Sequence, residues 1–194
     1  MATISEVLAI VVQHYHAGRL QAAEAVCRQI LATEPNQANA IHLLGLIANQ
    51  EGEHDAHQLN QLGITLAQEG RLDEAIISFR WALQIQPDLA QAHHNLGIAL
   101  QDQGHLDEAV ASYRRALTLK PDYVSAHNYL GTAFKDQNNP DEAIACYRRA
   151  LDLKPDYAEA HNNLGVALKD QGKWDEAFAC FRRALVSRQS SIDG

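Results

Sequence analysis

The chain has 194 residues with a formal net charge of −8 and a pI near 5.6. That balance excludes nucleic acid as a partner, which needs clustered Lys and Arg to displace phosphate counterions, and excludes an anionic membrane surface for the same reason. No apolar run reaches the roughly 18 residues of a spanning helix.

The first element, MATISEVLAIVV, has an apolar patch interrupted by Glu6 and no basic segment before it. It is expected to be an amphipathic helix, not a secretory leader. From there the chain is written in repeats. The stretches from Pro87 (PDLAQAHHNLGIALQDQGHLDEAVASYRRALTLK), Pro121 (PDYVSAHNYLGTAFKDQNNPDEAIACYRRALDLK) and Pro155 (PDYAEAHNNLGVALKDQGKWDEAFACFRRALVSR) echo one another every 34 residues. Self-similarity at this period marks stacked supersecondary units, each burying its apolar face against its neighbours. Little sequence outside the repeat remains to build an enzymatic pocket.

Numbered from six residues before each leucine–glycine pair, units start at Ile4, Ala56, Ala90, Val124 and Ala158, with a partial one at Ala38. Apolar residues recur at three- and four-residue spacing, so each unit is expected to be two amphipathic helices, A then B. The glycines of the eighth column, Gly63, Gly97, Gly131 and Gly165, stand in helix A. Mid-helix glycine costs about 1 kcal/mol against alanine, so close approach of helix B through Ala75, Ala109, Ala143 and Ala177 is expected to compensate. The fifteenth column is Gly18, Gly52, Gly70, Gly104, Asn138 and Gly172. Asparagine is the residue that best replaces glycine in the left-handed conformation, so this column marks a helix C-cap. Asp73, Asp107, Asp141 and Asp175 are expected to cap helix B, and Pro35, Pro87, Pro121 and Pro155 to close the units.

One unit is broken. The starts at Ala38 and Ala56 are 18 residues apart, so one helix B is missing and two A-type helices follow each other directly. Either the second takes a B-like place or the stack is interrupted near Glu51–Ala56, where a kink, a domain boundary or a swapped dimer is expected before anywhere else in the chain. The expected organisation is residues 1–55 as a first repeat plus the half repeat, 56–188 as a four-repeat array, and 189–194 as a disordered tail. Cys146 and Cys180 lie one repeat apart, about 10 Å in a stack of helices, beyond the roughly 7 Å a disulfide tolerates. With Cys27 they read as small apolar fillers in a reducing compartment.

Six columns thus keep their spacing: leucine (Leu62, Leu96, Leu130, Leu164), the glycine after it, the first alanine of helix B, an aromatic (Phe79, Tyr113, Tyr147, Phe181), a second alanine (Ala82, Ala116, Ala150, Ala184) and the closing proline. This pattern resembles the tetratricopeptide repeat over nearly the whole chain. It departs from the family at the fourth column, often tryptophan, where His93, His127 and His161 stand, and at Gln189, where a proline is expected. The AHNNLG stretch is similar to repeats of bacterial relatives of the O-linked N-acetylglucosamine transferases.

The resemblance implies an all-α fold: a right-handed superhelical solenoid of antiparallel helix pairs, with about eleven helices. It implies a concave face lined by the A helices, and hence a peptide-binding set of Asn60, Gln61, His94, Asn95, Asn128, Tyr129, Lys135, Asn162, Asn163 and Lys169. A carboxamide both donates and accepts, so a column such as Gln61, Asn95, Tyr129, Asn163 can hold an extended peptide by its backbone. The column resembles the asparagine ladder of the transferases, interrupted by Tyr129. Ser125, Tyr129, Glu159 and Asn163 occupy positions where chaperone-binding members carry a carboxylate clamp, so a chaperone tail is not the expected ligand.

No chemistry competes with this reading. Successive members of the histidine column, about 10 Å apart, cannot share one ion whose Zn–N bonds are near 2 Å. The Asp-Glu pairs recur beside every turn, which suits capping better than acid–base catalysis. Neither a phosphate loop nor a Ser/His/Asp set occurs. The expected protein is therefore a cytoplasmic, non-enzymatic scaffold without catalytic residues, metal or cofactor. Its expected partner is a protein or extended peptide, with homo-oligomers through the apolar C-terminal helix (Phe178, Phe181, Leu185, Val186), the half-repeat junction, or both. The alternatives are a substrate-recruiting segment of a larger O-linked glycosyltransferase and a self-assembling structural protein.

Overall fold

The computed structural model describes residues 4–33 and 56–190, with single positions 37, 39, 40, 43, 45 and 47 between them. Ten helices and no strand are found among the described residues: α1 (Ile4–His16), α2 (Leu20–Thr33), α3 (Ala56–Gln68), α4 (Leu72–Ile85), α5 (Ala90–Asp102), α6 (Leu106–Leu119), α7 (Val124–Asp136), α8 (Pro140–Leu153), α9 (Ala158–Asp170) and α10 (Trp174–Ser190). Positions 39, 40, 43, 45 and 47 are helical as well. No helix among the described residues is long and apolar enough to cross a membrane. The breakpoint expected near Glu51–Ala56 lies, apart from Ala56, outside the described residues, as do Gly52 and Pro35.

The turns within each pair are dictated by one residue. Gly18, Gly70, Gly104 and Gly172 have φ between 69° and 81°, and Asn138, the one non-glycine in the column, has φ 62°. In that conformation the chain doubles back after helix A: Gly104 N–H donates to Gln101, and His105 N–H to Leu100, the paired bonds that close a helix with a left-handed residue. The B helices end before the prolines, at Ile85, Leu119 and Leu153.

The packing corrects two expectations. A Cβ built on Gly131 would lie 2.6 Å from Cε1 and 2.8 Å from Cδ1 of Tyr147, and 3.1 Å from the Ala143 carbonyl. The eighth-column glycine thus makes room chiefly for the aromatic ring of helix B, and only secondarily for its alanine. Gly63 meets Phe79, Gly97 meets Tyr113 and Gly165 meets Phe181 in the same way. The column-18 aspartates do not cap: α4, α6, α8 and α10 begin one residue before them, and the N-cap residues of the first three, Arg71, His105 and Asn139, make no side-chain cap bond. Asp107 and Asp141 accept instead from Gln137 Nε2 (2.6 Å) and Gln171 Nε2 (2.7 Å), one repeat further on.

The chain forms two compact units, 1–95 and 96–194, whose boundary falls within α5. In the first, Val11, Ala23, Cys27, Ile30, Ala40 and Ile47 make one core, and Ala56, Leu59, Ala82, Leu89 and Ala92 another. Gly45, the eighth-column glycine of the half repeat, faces the Trp81 indole on α4. A B helix of the following unit therefore supplies the ring that the missing helix would have carried. In the second unit α6 to α10 pack in chain order, with Tyr113 and Tyr147 fully buried. The three cysteines are free, Cys27 buried and the other two partly so.

Candidate functional site

The fifth and sixth columns of the A helices behave differently, although both are polar. In the first unit Asn60 and His94 are buried, at 4% and 5% exposure, while Gln61 is exposed and Asn95 partly so. Asn95 Nδ2 donates to Asn60 Oδ1 at 2.9 Å. Asn60 tolerates burial because its oxygen is satisfied by the next repeat. Burial holds the His94 pKa down to about 4, so its imidazole is neutral at physiological pH.

The second unit repeats the arrangement. Asn128 is fully buried; its Oδ1 accepts from Asn163 Nδ2 at 3.0 Å and its Nδ2 donates to Glu159 Oε1 at 3.0 Å. Tyr157 donates to the other oxygen of that carboxylate at 3.1 Å. Asn162 is exposed, and so are Lys135 and Lys169. Tyr129 is partly buried, its ring 6.2 Å from that of Tyr113, and burial raises its phenol above the ordinary value. Lys169 pairs with Asp170 at 3.7 Å. About two turns further along the A helices α5 and α7, Gln101 Oε1 accepts from Tyr113 of α6 (3.0 Å) and Gln101 Nε2 donates to Asp136 Oδ2 (2.7 Å).

Of the ten residues expected to meet a peptide, Asn60, His94 and Asn128 are therefore enclosed in this structure and act on their neighbours. Gln61, Asn95, Tyr129, Lys135, Asn162, Asn163 and Lys169 reach the surface. Asn95 and Asn163 are the most informative. Each commits one N–H to the buried asparagine 35 residues earlier, which leaves the oxygen and the second N–H of a carboxamide held in fixed orientation. That edge is complementary to one peptide unit.

Sequence reasoning missed the roles of Glu159 and Tyr157 in fixing Asn128, and the Gln–Asp bridges at the turns. The recurrence of Gln103, Gln137 and Gln171 opposite the aspartate column was the available signal. The histidine column proves structural: Nε2 of His93, His127 and His161 donates to the carbonyl of Pro87, Pro121 and Pro155 at 3.0, 2.9 and 2.8 Å. Among the described residues no three His, Cys, Asp or Glu side chains gather to hold a metal.

Family comparison agrees with this geometry. The model of the TPR repeat matches residues 63–104, 100–138 and 131–172, and that of the tetratricopeptide repeat matches residues 158–187. The chain belongs to the tetratricopeptide repeat family. Neither matching description is of a catalytic family. No curated protein matches the chain. Among solved structures, a crystal structure of MamA superposes with a TM-score of 0.66 at 22% identity, covering 100% of this chain and 99% of that one. The first TPR of Spaghetti (RPAP3), bound to the HSP90 peptide SRMEEVD, gives 0.60 at 24% identity over 61% of this chain and 94% of that one. YrrB, described as a TPR protein with an unusual peptide-binding site, gives 0.53 at 18% identity over 80% of this chain and 88% of that one. At these identities the likeness is one of fold.

Proposed function

We propose that this TPR protein is a non-enzymatic scaffold that holds a protein partner, as an extended peptide, along its A helices. The carrying observation is the half-used carboxamide edge of Asn95 and Asn163. Gln61 flanks the first, and Tyr129, Asn162, Lys135 and Lys169 stand on the A helices of the unit that holds the second. A side chain fixed in advance loses less entropy when a peptide binds. Peptides recovered from a displayed random library test the reading. Asn95→Ala or Asn163→Ala should weaken their binding by roughly 1 kcal/mol each, a typical net hydrogen bond, in variants that still melt cooperatively. Peptides that ignore both changes contradict it. Free thiols at Cys27, Cys146 and Cys180 suit a reducing compartment such as the cytoplasm.

Two other readings each have one observation in their favour. The asparagine column supports a substrate-recruiting segment of an O-linked glycosyltransferase, which genomic sequence encoding a transferase domain in the same frame would test. Self-association is supported by α10: Phe178 is 67% exposed and Leu185 64%, whereas the residues equivalent to Phe178 in earlier repeats, Ile76, Val110 and Ile144, are buried. An exposed apolar patch of this kind marks an interaction surface, and a second copy of the chain is the occupant proposed. Light scattering tests it: a monomeric mass at every concentration refutes the reading.

A further inference from the structure

A cavity of about 490 Å³ opens between the B helices α8 and α10 and the A helix α9. Leu151, Leu164, Leu168 and Ala179 are its apolar lining, together with the charged Arg148 and Glu176. The repeat itself shows what such a space holds. Shifted back by one period, Arg148 becomes Arg114 and Leu168 becomes Phe134, while the leucines, the alanine and the glutamate stay the same. There the Arg114 guanidinium lies 5.5 Å from the centroid of the Phe134 ring, and Phe134 is buried. Leu168, like Leu66 and Leu100 in the same column of the earlier repeats, is shorter than Phe134, and here the cavity lies beside it with Arg148 in its lining.

We propose that this cavity is a second binding site, separate from the A-helix face, that receives an aromatic side chain of a protein partner beneath Arg148. The volume falls within the range of ligand pockets, and a guanidinium over a ring face adds a cation–π attraction to the burial of apolar surface. Arg148 now pairs with Glu176 at 3.4 Å, both groups 56% exposed. An exposed pair of that kind is worth little, so the arginine is free to swing over an incoming ring. Cys180 lines the cavity, and Cys146 occupies the same column one repeat earlier. The pair supplies a reporter and an internal control.

The test uses the full chain with N-acetyl-phenylalaninamide as probe and N-acetyl-leucinamide as comparison. Alkylation of Cys180 and Cys146 by iodoacetamide is followed by mass spectrometry. The phenylalanine compound should slow Cys180 alone, with half-effect on the order of 1 mM for a ligand of this size, and the leucine compound should be weaker. Leu168→Phe should abolish the protection while keeping the helical signal, since Phe134 already fits the equivalent place. Arg148→Gln, which leaves the space open, should weaken the probe roughly two- to fivefold and serves if Leu168→Phe folds poorly. Asn163→Ala should change nothing here, so failure of the A-helix site and failure of this one are distinguishable. No protection of Cys180, equal protection by the leucine compound, or protection undiminished in both Leu168→Phe and Arg148→Gln would overturn the proposal.

Discussion

The glycine of the eighth column offers the most direct perturbation of the packing, and Gly131→Ala is the smallest one. In an open helix the change should stabilise by about 1 kcal/mol, since alanine is the best helix former. Here the new methyl would lie 2.6 Å from Cε1 of Tyr147, nearer than carbon atoms approach. The ring cannot easily retreat, because Tyr147 is fully buried and its hydroxyl donates to Thr132 Oγ1 at 3.3 Å. Overpacking of this sort costs about 1–3 kcal/mol. The net expectation is therefore a loss of roughly 0–2 kcal/mol, or about 2–4 °C in melting temperature for each kcal/mol at this chain length. Gly165→Ala should cost less, because its neighbour Phe181 is only partly buried and gives way more readily. Thermal melts of the two variants decide the matter. A Gly131→Ala protein more stable than wild type would refute the packing argument, and so would a larger loss at Gly165.

Asn128→Ala should destabilise by about 1–3 kcal/mol, because it strands the Asn163 and Glu159 groups that the buried amide satisfies; urea titration measures it. His94, pKa about 4 when folded against an ordinary 6.5, takes up protons more readily when unfolded. Its contribution to stability should therefore fall as pH drops from about 6.5 towards 4, and His94→Gln should flatten that part of the profile. Light scattering at micromolar concentrations should show a species larger than 21.4 kDa, and Phe178→Glu with Val186→Glu should reduce it.

Much of the fold was legible in the sequence because backbone geometry restricts which residues serve. The fifteenth column had to be glycine or asparagine to turn with positive φ, and Asn138 made the column readable as a turn. Helix limits were less legible. Asp107 and Asp141 carry the side chain of a cap, yet they lie one residue inside the helix and bind a glutamine of the next repeat, a distant partner that local pattern does not reveal. Periodicity placed the candidate residues on the A helices, where the structure has them, but it did not give their depth. Periodicity assigns Asn60 and Asn128 to a face, and their polarity suggests solvent. They are buried because an amide 35 residues later satisfies each of them. The broken unit shows the same limit: counting detected the missing helix, but not that Trp81 would face Gly45.

The central claim is that the A-helix asparagines hold a peptide main chain through the half of each carboxamide left unused. The side-chain NH2 resonances of Asn95 and Asn163, observed by nuclear magnetic resonance while a library-selected peptide is added, test it most directly. In each, the proton bonded to Asn60 or Asn128 should stay in place while its geminal partner shifts with saturation. Shifts confined to the B helices, with both asparagine NH2 groups unmoved at saturation, would contradict the account.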